Sequence, residues 1–340
     1  MVQNASLVYA EPPTGAPVPG ETLIRRVDEI DIDNVPLEGG ILVQNKALSL
    51  DPYMRGRMRD PKLKSYNEPF ELNKPLTTLA IGLVLRSDEP TIQPGSIYKG
   101  RFDASEYALI PGKLVKLLGR VVENKEGLPW TTLLGACGMP GATAWVGLYD
   151  IGKPKKGETI FVSAASGAVG QIVGQLAKRD GLFVVGSAGS DEKVAFLKEI
   201  GFDVAFNYKT DSTQEILEQH PPDIYWDNVG GETLDTVLAT IKPKGRIIAC
   251  GSISQYNKPR DQHYGLTQTF QVVTKSLKWE GFIVSNHDTT EFDRVMPGLV
   301  KSGEIKIKEH ITKGIDQGEA FVDMLEGRNF GKAVISLSDD

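Results

Sequence analysis

The spacing Ala165-x-Gly167-x-x-Gly170 lies between a short apolar run, Thr159-Ile-Phe-Val-Ser163, and a helix-like segment, Gln171-Ile-Val-Gly-Gln-Leu-Ala177. The run is apolar and β-branched, as a buried parallel strand requires. In the second segment Val169, Val173, Leu176 and Ala177 share one helical face. Strand, glycine turn and helix in this order suit a dinucleotide. The glycines let the backbone approach a pyrophosphate, and the helix start offers unpaired N–H groups to the anion. The first glycine of the usual fingerprint is alanine here, and the motif alone is weak. A glycine-rich helix start used only for close packing is the alternative. The context favours the cofactor: a second strand over 182–185, the turn Gly186-Ser-Ala-Gly-Ser190, a helix over 191–200 and a third strand over 204–206 complete a βαβαβ unit.

Polar side chains around this unit refine the chemistry. An NAD enzyme usually sets an acid at the end of the second strand, but here none occurs before Asp191. Lys193 falls on the first turn of the next helix and Tyr208 ends the following strand region. With Ser190 they can hold a ribose phosphate, which points to NADP. The competing reading has Asp191 as a helix cap and Lys193 in solvent; a cap there would not exclude phosphate binding by its neighbours. Asn228 and Tyr256 fall at carboxyl ends of expected sheet strands, where doubly wound folds bind ligands. The Tyr256 phenol could donate a hydrogen bond or a proton, or could only buttress a cofactor. Asp51-Pro-Tyr-Met-Arg-Gly-Arg-Met58 is expected to form a turn and loop. Either it lines a pocket, with Tyr53 as an apolar wall carrying a hydroxyl, or it is a surface loop whose arginines pair with acids.

These residues need elements to position them. Residues 1–130 show short β-like runs at Ser6–Tyr9, Gly40–Gln44, Ile81–Leu85, Tyr107–Ile110 and Leu114–Leu118, separated by Pro, Gly and Asp turns. They read as a mostly β domain with a partly open barrel. The uncharged, small-residue stretch 133–145 leads into a helix over 142–149. Beyond the βαβαβ unit, helices are expected over 212–219, 232–240, 291–301 and 320–327, and strands over 223–227, 245–251 and 278–284. A last strand over 331–336 could return to the first domain.

Bulk properties set limits. The 340 residues suit two domains, and 40% hydrophobic content supports sizeable cores. A net charge of −6 without a basic block argues against nucleic acid as a partner. No apolar run reaches a membrane span, neither a secretory signal at Met1–Ser6 nor a C-terminal address at Leu337–Asp340 is readable, and the sparse Cys137 and Cys250 suit a reducing compartment, so a cytoplasmic location is expected. Those two cysteines and His220, His263, His287 and His310 do not form a catalytic zinc set, and no metal is expected. The cysteines read as small core residues.

Together the motifs Asp51–Met58, Gly138-Met-Pro-Gly-Ala-Thr-Ala144, Ala164–Gly170, Gly189–Lys193, Gly201–Lys209, Asp227-Asn-Val-Gly-Gly-Glu232, Gly251-Ser-Ile-Ser-Gln-Tyr-Asn257 and Gly327-Arg-Asn-Phe-Gly-Lys332 run in order over nearly the whole chain. They resemble the zinc-independent medium-chain dehydrogenases/reductases, within them the leukotriene-hydroxydehydrogenase/prostaglandin-reductase and plant alkenal double-bond-reductase group. The resemblance implies an α/β protein with a doubly wound (Rossmann) parallel-sheet NADP domain at 133–309. It implies a GroES-like, mostly β substrate domain at 1–132 and 310–340. The implied activity is NADPH-dependent reduction of the carbon–carbon double bond of α,β-unsaturated aldehydes or ketones, on a homodimer, with catalytic roles for Tyr256 and Tyr53. Implied cofactor contacts are Met139 and Thr143; Ala165, Gly167, Ala168, Val169 and Gly170; Gly189, Ser190, Lys193 and Tyr208; Asn228; Gly251, Ser252, Ile253 and Tyr256; Phe282, Ile283 and Val284; and Asn329 and Gly331. A quinone reductase of the same fold and a non-catalytic NADPH-binding protein are the alternatives. The substrate pocket is expected in loops 51–70 and 254–270.

Overall fold

A computed structural model describes residues 1–338; Asp339 and Asp340, which end the segment 310–340 and the stretch Leu337–Asp340, lie outside the described residues. The chain forms two compact units, Met1–Gly135 with Glu309–Asp340 and Ala136–Lys308. The first begins with β1 (Val2–Tyr9), β2 (Leu23–Ile30), β3 (Ile41–Ser49), α1 (Tyr53–Arg57), β4 (Lys74–Pro75), β5 (Thr77–Ser87), β6 (Ile97–Asp103), β7 (Tyr107–Ile110), α2 (Gly112–Leu118), β8 (Gly119–Val121) and α3 (Trp130–Leu134). The second unit holds α4 (Met139–Val146), β9 (Thr159–Val162), α5 (Gly170–Arg179), β10 (Phe183–Ala188), α6 (Asp191–Glu199), β11 (Val204–Asn207), α7 (Thr213–Gln219), β12 (Ile224–Asp227), α8 (Gly231–Thr240), β13 (Arg246–Ala249), α9 (Gln271–Thr274), β14 (Lys278–Gly281) and α10 (Thr290–Lys301). β15 (Glu309–Lys313), α11 (Glu319–Leu325) and β16 (Lys332–Ser336) return to the first unit.

In the first unit β2-β1-β4 form a small antiparallel sheet, and a seven-stranded sheet runs β15-β16-β3-β5-β6-β8, with β7 also on β3. The larger sheet ends on β15 and β8 and does not close into a barrel. β6 buries Tyr98, Gly100 and Phe102 in strict alternation, the period of a half-buried strand. Two expectations fail here. Leu114–Leu118 forms the helix α2, not a strand. Pro111 ends the β7 ladder, and Gly112 passes so close to Gly39 that a Cβ would meet its carbonyl oxygen at 2.4 Å, which bends the chain away from the sheet. Asp51–Met58 is not a loop: Pro52, with φ −58°, presets a helical turn, and α1 buries Met54 and Arg57.

In the second unit the sheet order β11-β10-β9-β12-β13-β14 is parallel throughout, the doubly wound arrangement. Phe161 stacks on Tyr225 with centroids 5.2 Å apart, and Trp226 beside it is fully buried. Removing such a ring typically costs about 3–5 kcal/mol. α4 runs into a π-helical turn at Gly147–Gly152, so the helix expected over 142–149 starts and ends elsewhere. Glycine is required at 147, where a Cβ would lie 2.3 Å from the Trp226 ring and 2.8 Å from Phe282. β14 stops at Gly281, short of the expected 284, and a 3₁₀ turn follows at Val284–Asn286.

Candidate active site

The turn Ala164–Gly170 joins β9 to α5 at the carboxyl end of the sheet's first strand. Its tightness is visible in Ala164, held at φ +47°, a region L-residues rarely occupy. Ala165 is buried and its N–H donates to Ser187 O on β10 (2.8 Å). At Gly170 a Cβ would come 2.7 Å from both Ala164 O and Ala165 Cα. Backbone therefore closes in here from two sides, and the start of α5 follows at once. That geometry fits a pyrophosphate.

The end of β10 gathers a second set of polar groups. Ser190 caps α6, its Oγ accepting from Lys193 N at 3.4 Å. Asp191, the cap candidate from sequence, instead accepts from Asn207 Nδ2 at 2.9 Å. This draws the end of β11, and with it Tyr208, toward α6. A Cβ on Gly189 would stand 3.2 Å from the Tyr208 hydroxyl and 3.4 Å from Lys209 Cε. The Lys193 ammonium is held below its ordinary range by burial and then by the charge of Lys209. Two cations thus share this corner with two hydroxyl groups, a donor set suited to a phosphate. Lys209 was not singled out from sequence; its place directly after Tyr208 was the available signal.

Between β9 and β12 lies a buried polar network. The Tyr225 hydroxyl donates to Asp227 Oδ1 (2.8 Å) and lies 3.0 Å from Ser163 Oγ. Asp227 Oδ1 also accepts from Val229 N (3.0 Å) and Gly230 N (2.7 Å), which shapes the glycine turn at the strand end. Burial pushes the Asp227 carboxyl upward, against the pull of the Gly230 N–H and the Tyr225 hydroxyl. Asn228 Nδ2 donates to Ser163 O (2.7 Å), and its Oδ1 accepts from Trp226 Nε1 (3.1 Å). The Asn228 amide therefore joins two strand ends. Beyond β13, Ser252 N donates to the Tyr256 hydroxyl at 3.1 Å, folding that side chain back over Gly251–Ile253. Met139 begins α4, where Thr143 Oγ1 donates to its carbonyl (2.8 Å). Phe282, Ile283 and Val284 follow β14.

Tyr53, Asn329 and Gly331 belong to the first unit. Asn329 Nδ2 donates to Gly331 O (2.8 Å), and Gly331 takes φ +79°, which favours glycine. The Tyr53 hydroxyl is buried beside the Arg57 guanidinium, and among the described residues it makes no hydrogen bond of ordinary geometry. Burial first, then the Asp51 charge, pushes its pKa up to about 12, while Arg101 and Arg57 pull the other way. The Arg101 guanidinium sits 5.8 Å from the Tyr53 ring centroid and donates to Asn67 Oδ1 (3.1 Å). Arg57 stacks 4.0 Å over Phe70 and donates to Glu68 O (2.9 Å), Thr77 O (2.6 Å) and Thr77 Oγ1 (2.7 Å). Arg59 donates to Leu63 O, Gly56 O and Asn67 O. Arg57 of the motif and Arg59 just after it thus tie residues 63–68 down through carbonyl groups.

Cys137 is buried, and burial and then Asp227 push the Cys250 thiol up to about 12. Among the described residues no group of three or more His, Cys, Asp or Glu side chains could hold a metal ion, and no helix is long and apolar enough to cross a membrane.

Residues 168–301 match a family described as zinc-binding dehydrogenase, and residues 6–118 one described as the N-terminal domain of oxidoreductase. The chain is 44% identical to NADP-dependent oxidoreductase RED1 of Cochliobolus heterostrophus, over 100% of its own length and 99% of the relative's. It is 40% identical to 2-alkenal reductase (NADP(+)-dependent) of Nicotiana tabacum, covering 99% and 98%. The structure of CurA from Vibrio vulnificus in complex with NADPH superposes with a TM-score of 0.87 at 34% identity, covering 99% and 100%. The chain belongs to the medium-chain dehydrogenase/reductase family, in its zinc-independent group of NADP-dependent quinone and alkenal reductases.

Proposed function

We propose that this enzyme reduces the carbon–carbon double bond of α,β-unsaturated aldehydes and ketones, with NADP as cofactor. The observation that carries the cofactor is the end of β10, where Ser190, Lys193, Tyr208 and Lys209 gather. The acceptor class is supported by similarity to a 2-alkenal reductase over nearly the full chain.

NADPH, held by the Ala164–Gly170 turn with Ser190, Lys193 and Tyr208, would supply the hydride that the β-carbon accepts as the π pair moves toward the carbonyl oxygen. The protein's task is to hold the acceptor dry and to donate to the oxygen as negative charge develops there. Tyr256 takes that role, its hydroxyl held in place by the Ser252 N–H. A proton from solvent at the α-carbon completes the saturated carbonyl product. Tyr53 forms part of the acceptor wall, and its hydroxyl is satisfied by bound acceptor. On this reading the first unit carries substrate and the second carries cofactor. The protein works in the cytoplasm, consistent with a chain of only two cysteines, as a homodimer joined along the exposed edge strand β14.

The test uses NADPH deuterated at its transferable position and a simple 2-alkenal. The label is expected on the β-carbon; label on the carbonyl carbon of an allylic alcohol would make the protein a carbonyl reductase and refute the proposal. Tyr256→Phe keeps the ring and deletes the donor. Loss of one oxyanion donor lowers turnover by about a hundredfold, and unaltered kinetics would remove Tyr256 from the chemistry.

A further inference from the structure

Lys332 and Asp51 lie 281 residues apart in sequence, yet their side chains meet inside the first unit. Each is 3% exposed. Lys332 Nζ donates to Leu50 O, to Asp51 Oδ1 (3.1 Å) and to Ala333 O (2.9 Å), so all three of its N–H groups are used. The other Asp51 carboxylate oxygen accepts from Ser49 Oγ at 2.6 Å. The Asp51 carbonyl accepts from Met54 N at 3.0 Å and so starts α1. The pair stands where β3 ends and β16 begins, one residue after Gly331 and two before Tyr53.

An ion pair this deep is a poor device for stability, because desolvating two charges consumes most of what their attraction returns, and apolar replacements are often neutral or better. What a fully bonded ammonium does supply is direction: it holds Leu50 O, the Asp51 carboxylate and Ala333 O around one point. We infer that Lys332 and Asp51 are a positioning pair that sets α1, and with it the Tyr53 ring and hydroxyl, for the acceptor. Neither residue touches substrate; both act through Tyr53. The inference rests on the reading that Tyr53 lines the acceptor pocket.

Four variants of the full chain test it: Tyr53→Phe, Lys332→Met, the double variant Asp51→Asn with Lys332→Met, and Ser49→Ala. Tm and the separate KM values for 2-hexenal and NADPH are measured. Lys332→Met strands a buried carboxylate and is expected to lower Tm sharply. The double variant removes both charges and recovers most of that Tm. Its KM for 2-hexenal stays raised by about tenfold, the scale of a small misplacement at a reacting group, while its KM for NADPH is unchanged. A double variant with wild-type Tm and wild-type KM for 2-hexenal overturns the inference, because a merely structural pair would behave in that way. If the double variant does not fold, Ser49→Ala decides: it leaves both charges in place and loosens only the carboxylate. A rise of about threefold in KM for 2-hexenal is then expected, and no rise overturns the inference. Tyr53→Phe separates the two ideas. Wild-type kinetics in that variant sink the Tyr53 reading itself, whereas a raised acceptor KM there with none in the double variant sinks only the positioning pair.

Discussion

Lys193→Ala should change cofactor preference before it changes anything else. In the structure the Lys193 ammonium is half-buried on the first turn of α6, and burial followed by Lys209 holds its pKa down. Cations crowded in this way gain most when an anion arrives, since each phosphate oxygen relieves both desolvation and repulsion. A charge-assisted hydrogen bond contributes about 1.5–3 kcal/mol, which is roughly a tenfold to hundredfold change in affinity. Lys209, whose Cε lies 3.4 Å from the Cβ position of Gly189, remains in the variant and keeps part of the attraction. The single substitution therefore belongs near the lower end, about tenfold in KM for NADPH, and Lys193→Ala with Lys209→Ala nearer a hundredfold. NADH lacks the phosphate, so its KM should move by less than about twofold. Initial rates with each cofactor at saturating 2-alkenal give the ratio directly. An unchanged NADPH/NADH preference in the double variant would refute the assignment of this corner to the phosphate. Equal losses for both cofactors would mean that the two lysines only support α6.

Three further outcomes are expected. Burial pushes the Asp103 carboxyl up to about 6, with Lys74 opposing. The native state then holds a proton that the unfolded chain releases near pH 4, so this group makes stability fall as pH rises between about 4 and 6. Asp103→Asn should flatten that slope and raise stability at pH 7 by up to about 3 kcal/mol; urea unfolding at several pH values reads both, and an unaltered slope would contradict it. Activity should survive dialysis against a strong chelator, and one zinc per chain with activity lost on chelation would contradict the metal-free reading. Finally, β14 is exposed along its whole length with Trp279 40% accessible, an open edge that pairing across a two-fold axis would cover; a monomer mass in solution at micromolar concentration would count against the dimer.

What could be read in the sequence was local. The strand at 159, the turn at 164–170 and the helix after it are each declared by a few neighbouring residues: an apolar run, glycines at fixed spacing, and a repeat of 3.6. The elements misread were those decided elsewhere in the fold. Leu114–Leu118 has the composition of a strand, yet only Val115 is buried and Leu117 is 76% exposed. Its conformation follows from Pro111 and the approach of Gly112 to the Gly39 backbone. Asp51–Met58 looks like a loop because its arginines appear solvent-seeking. Arg57 is instead 5% exposed, satisfied by carbonyl groups and a phenyl ring that no short window brings together. At Gly189–Lys193 the residue types were legible, but the cap belongs to Ser190 and Asp191 bonds to Asn207, a distinction that depends on where β11 ends.

The two units prepare their candidate site segments by opposite means, and the difference follows from what each would bind. A pyrophosphate needs several donors converging on one small volume. Side chains would obstruct such a volume, and at Gly170 a Cβ would sit 2.7 Å from the Ala164 and Ala165 backbone. The turn after β12 is held by Asp227, which gathers the Val229 and Gly230 N–H groups and the Tyr225 hydroxyl on one oxygen. An unsaturated carbonyl compound, by contrast, is mostly apolar and needs a rigid dry wall with a single polar point. There the first unit keeps its side chains and immobilises them, with Arg57 and Arg59 binding the loop beside α1 and Lys332 and Asp51 fixing the start of that helix. Buried charge appears in both places, and in both it is spent on backbone geometry. A substitution that conserves charge but shifts its position, such as Asp227→Glu, should therefore be as harmful as one that removes it.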